Sequence, residues 1–226
     1  MTKPVKLPFS EKYDRAHAQR YFHKHQANLS RRLSHYRELQ LARKAVALAG
    51  DPGLVLDLPC GAGRFWPMLA EKTGRAIIGA DNSAGMLDAA CTSQPPEVVA
   101  RVSPLQTSAF GIDLPANAVD SIFCMRLMHH IGDPQNRATI LQEFHRVTRD
   151  SVILSMWVDG NFKAYKRQRS EARRVAAGKA RDYQNRFVIR RDVAEAEFEA
   201  AGFRIQNRLD FIPLYAMWRV YVLRKQ

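Results

Sequence analysis

The chain has 226 residues, 46% of them hydrophobic, a size and apolar content that suit one domain with a proper core. No stretch approaches the roughly 18 consecutive apolar residues of a membrane span, and Met1-Thr-Lys-Pro-Val-Lys6 lacks an apolar signal region, so a cytoplasmic protein is expected. Cys60, Cys91 and Cys124 are odd in number and follow no ligand spacing, which argues against a disulfide framework and against a metal site.

The net charge of +13 is unevenly spread. Residues 1–50 hold 11 Lys/Arg against 3 Asp/Glu, residues 51–160 hold 8 against 12, residues 161–191 hold 11 against 2, and residues 192–226 hold 5 of each. A mildly acidic centre is thus flanked by two basic segments. In chain order, residues 1–27 are polar, with Phe9, Tyr13, Tyr21 and Phe22 among basic and histidine residues. Residues 28–49 read as a helix, with Leu29, Leu33 and Tyr36 at helical spacing and Asp51-Pro-Gly53 ending it. Strands are expected at 54–58, 76–80, 98–102, 119–124 and 151–157, alternating with helices as in a parallel sheet. Asp133-Pro134 is an N-cap followed by a proline at the first helical position, opening a helix to about Val147. Residues 161–183 read as a basic helical insertion, and 188–201 as a helix closed by Gly202. Two final strands are expected at 203–212 and 216–223.

The sharpest signal is Leu54-Val-Leu-Asp-Leu-Pro-Cys-Gly-Ala-Gly-Arg64, a buried strand that stops in a glycine turn. Gly61 and Gly63 let the backbone turn tightly and approach a ligand. Arg64-Phe-Trp-Pro-Met-Leu-Ala-Glu71 reads as a helix start, which completes a nucleotide-type pocket. Asp81 ends the next apolar run, where a carboxylate grips a ribose diol. Trp66 stands where a dinucleotide fingerprint has its third glycine, so a ligand with ribose and no pyrophosphate, S-adenosylmethionine, suits the pattern better.

These residues resemble the class I S-adenosylmethionine-dependent methyltransferases. Val55 to Gly63 resembles the family's first motif, Gly79 to Leu87 its ribose-binding block, Thr107 to Pro115 its adenine-side loop, and Val119 to His130 its fourth strand and active-site loop. The resemblance implies a doubly wound, seven-stranded, mostly parallel α/β sheet with an antiparallel C-terminal hairpin. It divides the chain into an N-terminal helical lid at 1–50 and a methyltransferase domain at 51–226. It also implies cofactor contacts from Asp57, Pro59, Gly61 and Gly63 of the first block, and from Asp81, Asn82 and Met86 of the second. Ser108, Ala109, Phe110 and Arg126 supply the remainder. Two departures stand out. Pro59 replaces the usual first glycine and donates no N–H, and Ser108 replaces an acid at the adenine edge.

His129 and His130 follow the fourth strand, where the acceptor meets the methyl group. Either could take the acceptor's proton, with His130 preferred; alternatively, the rings hydrogen-bond the loop and transfer relies on alignment alone. The resemblance places the acceptor lid at the N-terminus and after the fifth strand, the two basic segments here. That favours an anionic acceptor, a small molecule or a glycolipid or saccharide, methylated on oxygen or nitrogen. RNA is the alternative acceptor, given a sequence pI near 10, although no Asn-Pro-Pro-Tyr-like run follows the fourth strand. A non-catalytic S-adenosylmethionine-binding protein is a third reading.

Overall fold

The apolar run before the glycine turn becomes the centre of a sheet. In the computed structural model, which describes residues 29–179 and 185–226, β1 (Leu54–Asp57) lies parallel between β2 (Ala76–Asp81) and β4 (Val119–Cys124). β3 (Val102–Gln106) pairs with β2 at one edge, and β5 (Thr148–Trp157) pairs with β4. β7 (Trp218–Lys225) inserts antiparallel between β5 and β6 (Phe203–Asp210), giving the order β3-β2-β1-β4-β5-β7-β6. The expected doubly wound, seven-stranded sheet is present. Its strand order reverses beside β1, so a crevice opens at the carboxyl ends of β1, β2 and β4.

Period-two alternation builds the two faces. Leu56, Ile122, Val152 and Leu154 meet Ile140, Leu141 and Phe144 of α5 (Pro134–Val147) and Phe198 of α7 (Arg191–Ala200). Val55, Phe123, Ile153, Val220 and Val222 meet Trp66 of α2 (Trp66–Leu69) and Leu41, Ala42, Ala45 and Val46 of α1 (Leu29–Leu48). Burial on both faces explains why these strands are nearly continuous apolar runs.

Several expectations need correction. Residues 98–102 are not a strand: Pro96 occupies the first turn of α4 (Pro96–Val99), its fixed φ suited to a helix start, and the strand begins only at Val102. Pro104 is tolerated inside β3 because that strand is at the sheet edge. Leu33 and Tyr36 do not form the buried side of α1, being 61% and 59% exposed; Glu38 and the small residues after Leu41 do. The chain after Gly63 continues as turns before the four-residue α2, so no long helix starts at Arg64. The basic helix, α6 (Phe162–Ala176), ends before 183, with Gly178 at φ +65° just beyond it. Residues 187–189 are extended beside the end of β5 and not helical, because Ile189 N–H donates to the Trp157 carbonyl at 2.9 Å. Asp133 does cap α5, accepting from Gln135 N–H, and Gly202 ends α7 at φ +84°. Most of the expected N-terminal lid, residues 1–28, lies outside the described residues.

Candidate active site

Two carboxylates end neighbouring strands at the crevice. Asp57 closes β1 at 1% exposure, and neither of its oxygens has a hydrogen-bond partner. Burial, and then the charge of Asp81, push its carboxyl well above the usual range; the Trp66 indole pulls weakly the other way, short of a full hydrogen bond. Asp81 closes β2, and its two oxygens accept from Gly61 N–H and Ser83 N–H, each at 3.0 Å. Burial raises this carboxyl too, and those N–H groups draw it back. The acid expected at the ribose therefore also ties the glycine turn to the end of β2.

The turn itself is open on one side. Gly61 has φ +54°, and a β-carbon there would meet nothing within 4 Å. Gly63, at φ +69°, is closed from within, because an added β-carbon would lie 2.8 Å from the Trp66 ring, and one at Gly79 only 2.4 Å. Trp66 is fully buried under both glycines, which is how an aromatic is accommodated in place of a third glycine. An open glycine cradle beside an orphaned buried carboxylate suits a ligand that brings a cationic ammonium, as S-adenosylmethionine does.

The remaining cofactor-side residues differ in what they already do. Pro59 is half-buried after a cis peptide, and Asn82 is exposed. Met86 is buried in the first turn of α3 (Ala84–Ser93), whose N-cap is Ser83. The Ser108 hydroxyl accepts from Phe110 N–H at 3.2 Å, while Ala109 and Phe110 pack partly on the core. Burial pushes the Cys60 thiol well up, leaving it neutral.

Arg126 is held in a way its sequence position did not reveal. With φ +67°, it reaches back to Glu38 of α1, making bonds of 2.8 and 2.7 Å through Nε and Nη2. Arg64, directly after the glycine turn, binds the same Glu38 carboxylate and also His35. Burial would raise the Glu38 carboxyl, but the Arg126 and Arg64 guanidinium groups hold it below the usual range. One buried acid on α1 thus joins the loop after β1 to the loop after β4.

Beyond Arg126 the two histidines form part of an aromatic cluster with Trp157 and Trp218. His129 is 3% exposed and stacks on Trp157, with ring centres 4.8 Å apart and 12° between planes, and Trp218 lies 5.3 Å away. Burial, then the charges of His130, Arg186, Arg126 and Arg167, hold its imidazole well below the usual range. His129 is a neutral wall. His130 is half-buried, and its Nδ1 lies 2.5 Å from the Asn185 carbonyl. A carbonyl only accepts, so the proton sits on Nδ1 and the lone pair on Nε2. Burial lowers its pKa, the Asn185 carbonyl opposing. The guanidinium groups of Arg167 and Arg186 lie 5.4 and 5.7 Å from the Trp157 ring centre, and that of Arg126 lies 5.0 Å from Trp218. Arg137 braces the floor: it is 2% exposed, bonded twice to Glu197 and to the carbonyls of Ile131 and Gly132.

Sequence reading missed Glu38, Arg137, Trp157 and Trp218. Glu38 is one of only three acids in the first 50 residues, which is a faint signal. The others become visible only once β5, β7 and α7 are brought together.

Comparisons with known proteins bear on the fold. A family model described as "Methyltransferase domain" matches residues 55–151. No curated protein matches in sequence. Among solved structures, magnesium protoporphyrin IX methyltransferase from Synechocystis PCC 6803 with bound S-adenosylhomocysteine is similar, at TM-score 0.68 and 14% identity, over 88% of this chain and 89% of that one. A putative O-methyltransferase from Nostoc punctiforme is similar at TM-score 0.64 and 22% identity, over 83% and 56%. Human N-acetylserotonin methyltransferase with S-adenosylmethionine is similar at 0.59 and 16%, over 81% and 51%. Among the described residues no helix is long and apolar enough to cross a membrane. Residues 55–151 thus match a methyltransferase-domain model, and the chain has the class I α/β fold of methyltransferases solved with S-adenosylmethionine and S-adenosylhomocysteine.

Proposed function

We propose that the protein methylates an oxygen or nitrogen of an anionic acceptor, a small molecule or a glycolipid or saccharide. The observation that carries this reading is the cluster of His129, Trp157 and Trp218, with His130 against His129 and the guanidinium groups of Arg126, Arg167 and Arg186 on the tryptophan rings. S-adenosylmethionine supplies an electrophilic methyl group on a sulfonium. Asp57 meets its ammonium group, Asp81 its ribose, and the Gly61 turn gives the close approach. Asn82, Met86, Ser108, Ala109 and Phe110 border the adenosine.

On the acceptor side, the arginines hold the anion and orient it, and the tryptophans exclude water. His130 Nε2 takes the proton from the acceptor hydroxyl or amine as the new C–O or C–N bond forms and the C–S bond breaks, leaving S-adenosylhomocysteine. His129 stays neutral and holds Trp157 in place. A competition between phosphorylated and neutral metabolites, glycolipids and tRNA for labelled methyl tests this directly. Label on an anionic small molecule or glycolipid supports the reading; label on tRNA alone overturns it in favour of RNA.

A further inference from the structure

Among the described residues nine large apolar side chains are exposed, and six of them fall in two segments. Phe162, Tyr165 and Val175 are on α6; Ile212, Leu214 and Tyr215 form the turn between β6 and β7. The segments are joined. Phe162 and Lys163 N–H donate to the carbonyls of Leu214 and Tyr215 at 2.9 and 3.0 Å, and Phe162 stacks on Tyr215 with centres 5.9 Å apart. Leu214 is 84% exposed, held at φ +59°, a region that leucine rarely adopts. α6 itself buries only Ala164. Residues 162–179 carry seven Lys/Arg against the single acid Glu171.

Clustered exposed apolar groups rimmed by cations mark a docking face. We propose that α6 and the β6–β7 turn seat the protein on an anionic phospholipid surface. Leu214, Phe162, Tyr165 and Tyr215 enter the interface, and the Lys and Arg side chains meet the headgroups. Two other occupants fit less well. The chain's own residues 1–28 carry six basic side chains and two acids, so like charge opposes their lying on α6. RNA would match the charge and the aromatics Phe162, Tyr165 and Tyr215, but the most exposed apolar group of the face, Leu214 at 84%, is aliphatic and offers no ring for a base to stack on. A bilayer takes aliphatic and cationic groups together. The face also borders the aromatic cluster, since Arg167 of α6 lies over Trp157. The docking needs no particular acceptor and does not depend on the methyl transfer proposed above.

Vesicle co-sedimentation of the full-length protein tests it. The wild type should sediment with equimolar phosphatidylcholine–phosphatidylglycerol vesicles and not with phosphatidylcholine alone. Leu214→Ser should weaken the partition about ten-fold with no change in charge. Lys166→Glu with Arg169→Glu should abolish it, whereas the charge-matched pair Lys44→Glu with Arg204→Glu should bind nearly as well as the wild type. S-adenosylhomocysteine binding by calorimetry should be unaltered in every variant, which keeps this result apart from any failure of the enzymatic reading. Absence of vesicle binding would overturn the proposal. So would equal losses in both charge-reversed pairs together with full binding by Leu214→Ser, because that is attraction of a basic protein without a docking face. Displacement from vesicles by tRNA, with Leu214→Ser indistinguishable from the wild type, would assign the face to RNA.

Discussion

Asp57 and His130 carry the sharpest consequences at the scale of single residues. Asp57 pays for burial without a partner in the cofactor-free fold, so Asp57→Asn should raise the melting temperature, by roughly 2–4 °C for each kcal/mol recovered. The same variant should bind S-adenosylhomocysteine more weakly, and calorimetry will show both effects. Because a cofactor ammonium lowers the Asp57 pKa, binding should release a proton, read as a binding enthalpy that varies with the ionisation enthalpy of the buffer. His129 has the opposite sign. Its folded pKa is depressed, so the unfolded chain binds protons first as the pH falls below about 6.5, and stability drops. Asp57, with its raised pKa, gains stability over the same fall. Thermal melts from pH 7.5 to 5.5 should therefore fall more steeply in Asp57→Asn than in the wild type. His130→Gln should cut turnover by about 100-fold and leave cofactor binding intact, while the wild-type rate rises with pH through an inflection below the ordinary histidine value. Full activity in that variant would leave alignment as the source of catalysis.

Among the elements, loops and their braces decide what could be read from the sequence. β1, β2, β4 and β5 were legible because burial on both faces leaves a nearly pure apolar signal, and the Asp133 cap and Gly202 were legible because their chemistry is local. The strand misplaced at 98–102 shows the limit: Val98 and Val99 have strand-like side chains, but Pro96 fixes the backbone for a helix start. The half-hidden part of the site lies in long-range pairs. Arg137 is 60 residues from Glu197 and Arg126 is 88 from Glu38, and no local pattern links them. Arg137→Ala leaves Glu197 and two carbonyls without their cation beneath the histidine loop, and should cost about 3–5 kcal/mol in chemical denaturation. Retention of wild-type stability would show that the pair is replaceable there.

On the scale of the whole molecule, charge is segregated from chemistry. The sheet and its carboxylates form a mildly acidic centre suited to a cationic cofactor, and the positive charge is carried by the N-terminal segment and the stretch around α6. S-adenosylhomocysteine at about 100 times its Kd should stabilise the fold by about 2.7 kcal/mol, seen as an upward thermal shift that NAD does not produce and that Asp81→Ala diminishes. Neutralising Lys163, Lys166, Arg167 and Arg169 should raise the acceptor's KM more than the cofactor's. Added salt should weaken the preference for anionic acceptors, because exposed charges are screened within about 8 Å at physiological ionic strength.

Trp66 has one further use. The chain has three tryptophans, one sealed beneath the glycine turn and two, Trp157 and Trp218, in the aromatic cluster. The indole beneath the turn lies against Gly63 and Gly79 and near a carboxylate whose charge changes when a ligand arrives, so its emission is an optical readout of the cofactor end alone. Trp66→Phe should silence the fluorescence change on adding S-adenosylhomocysteine and preserve the change on adding acceptor, so that the two ligands of one crevice can be watched separately in one cuvette.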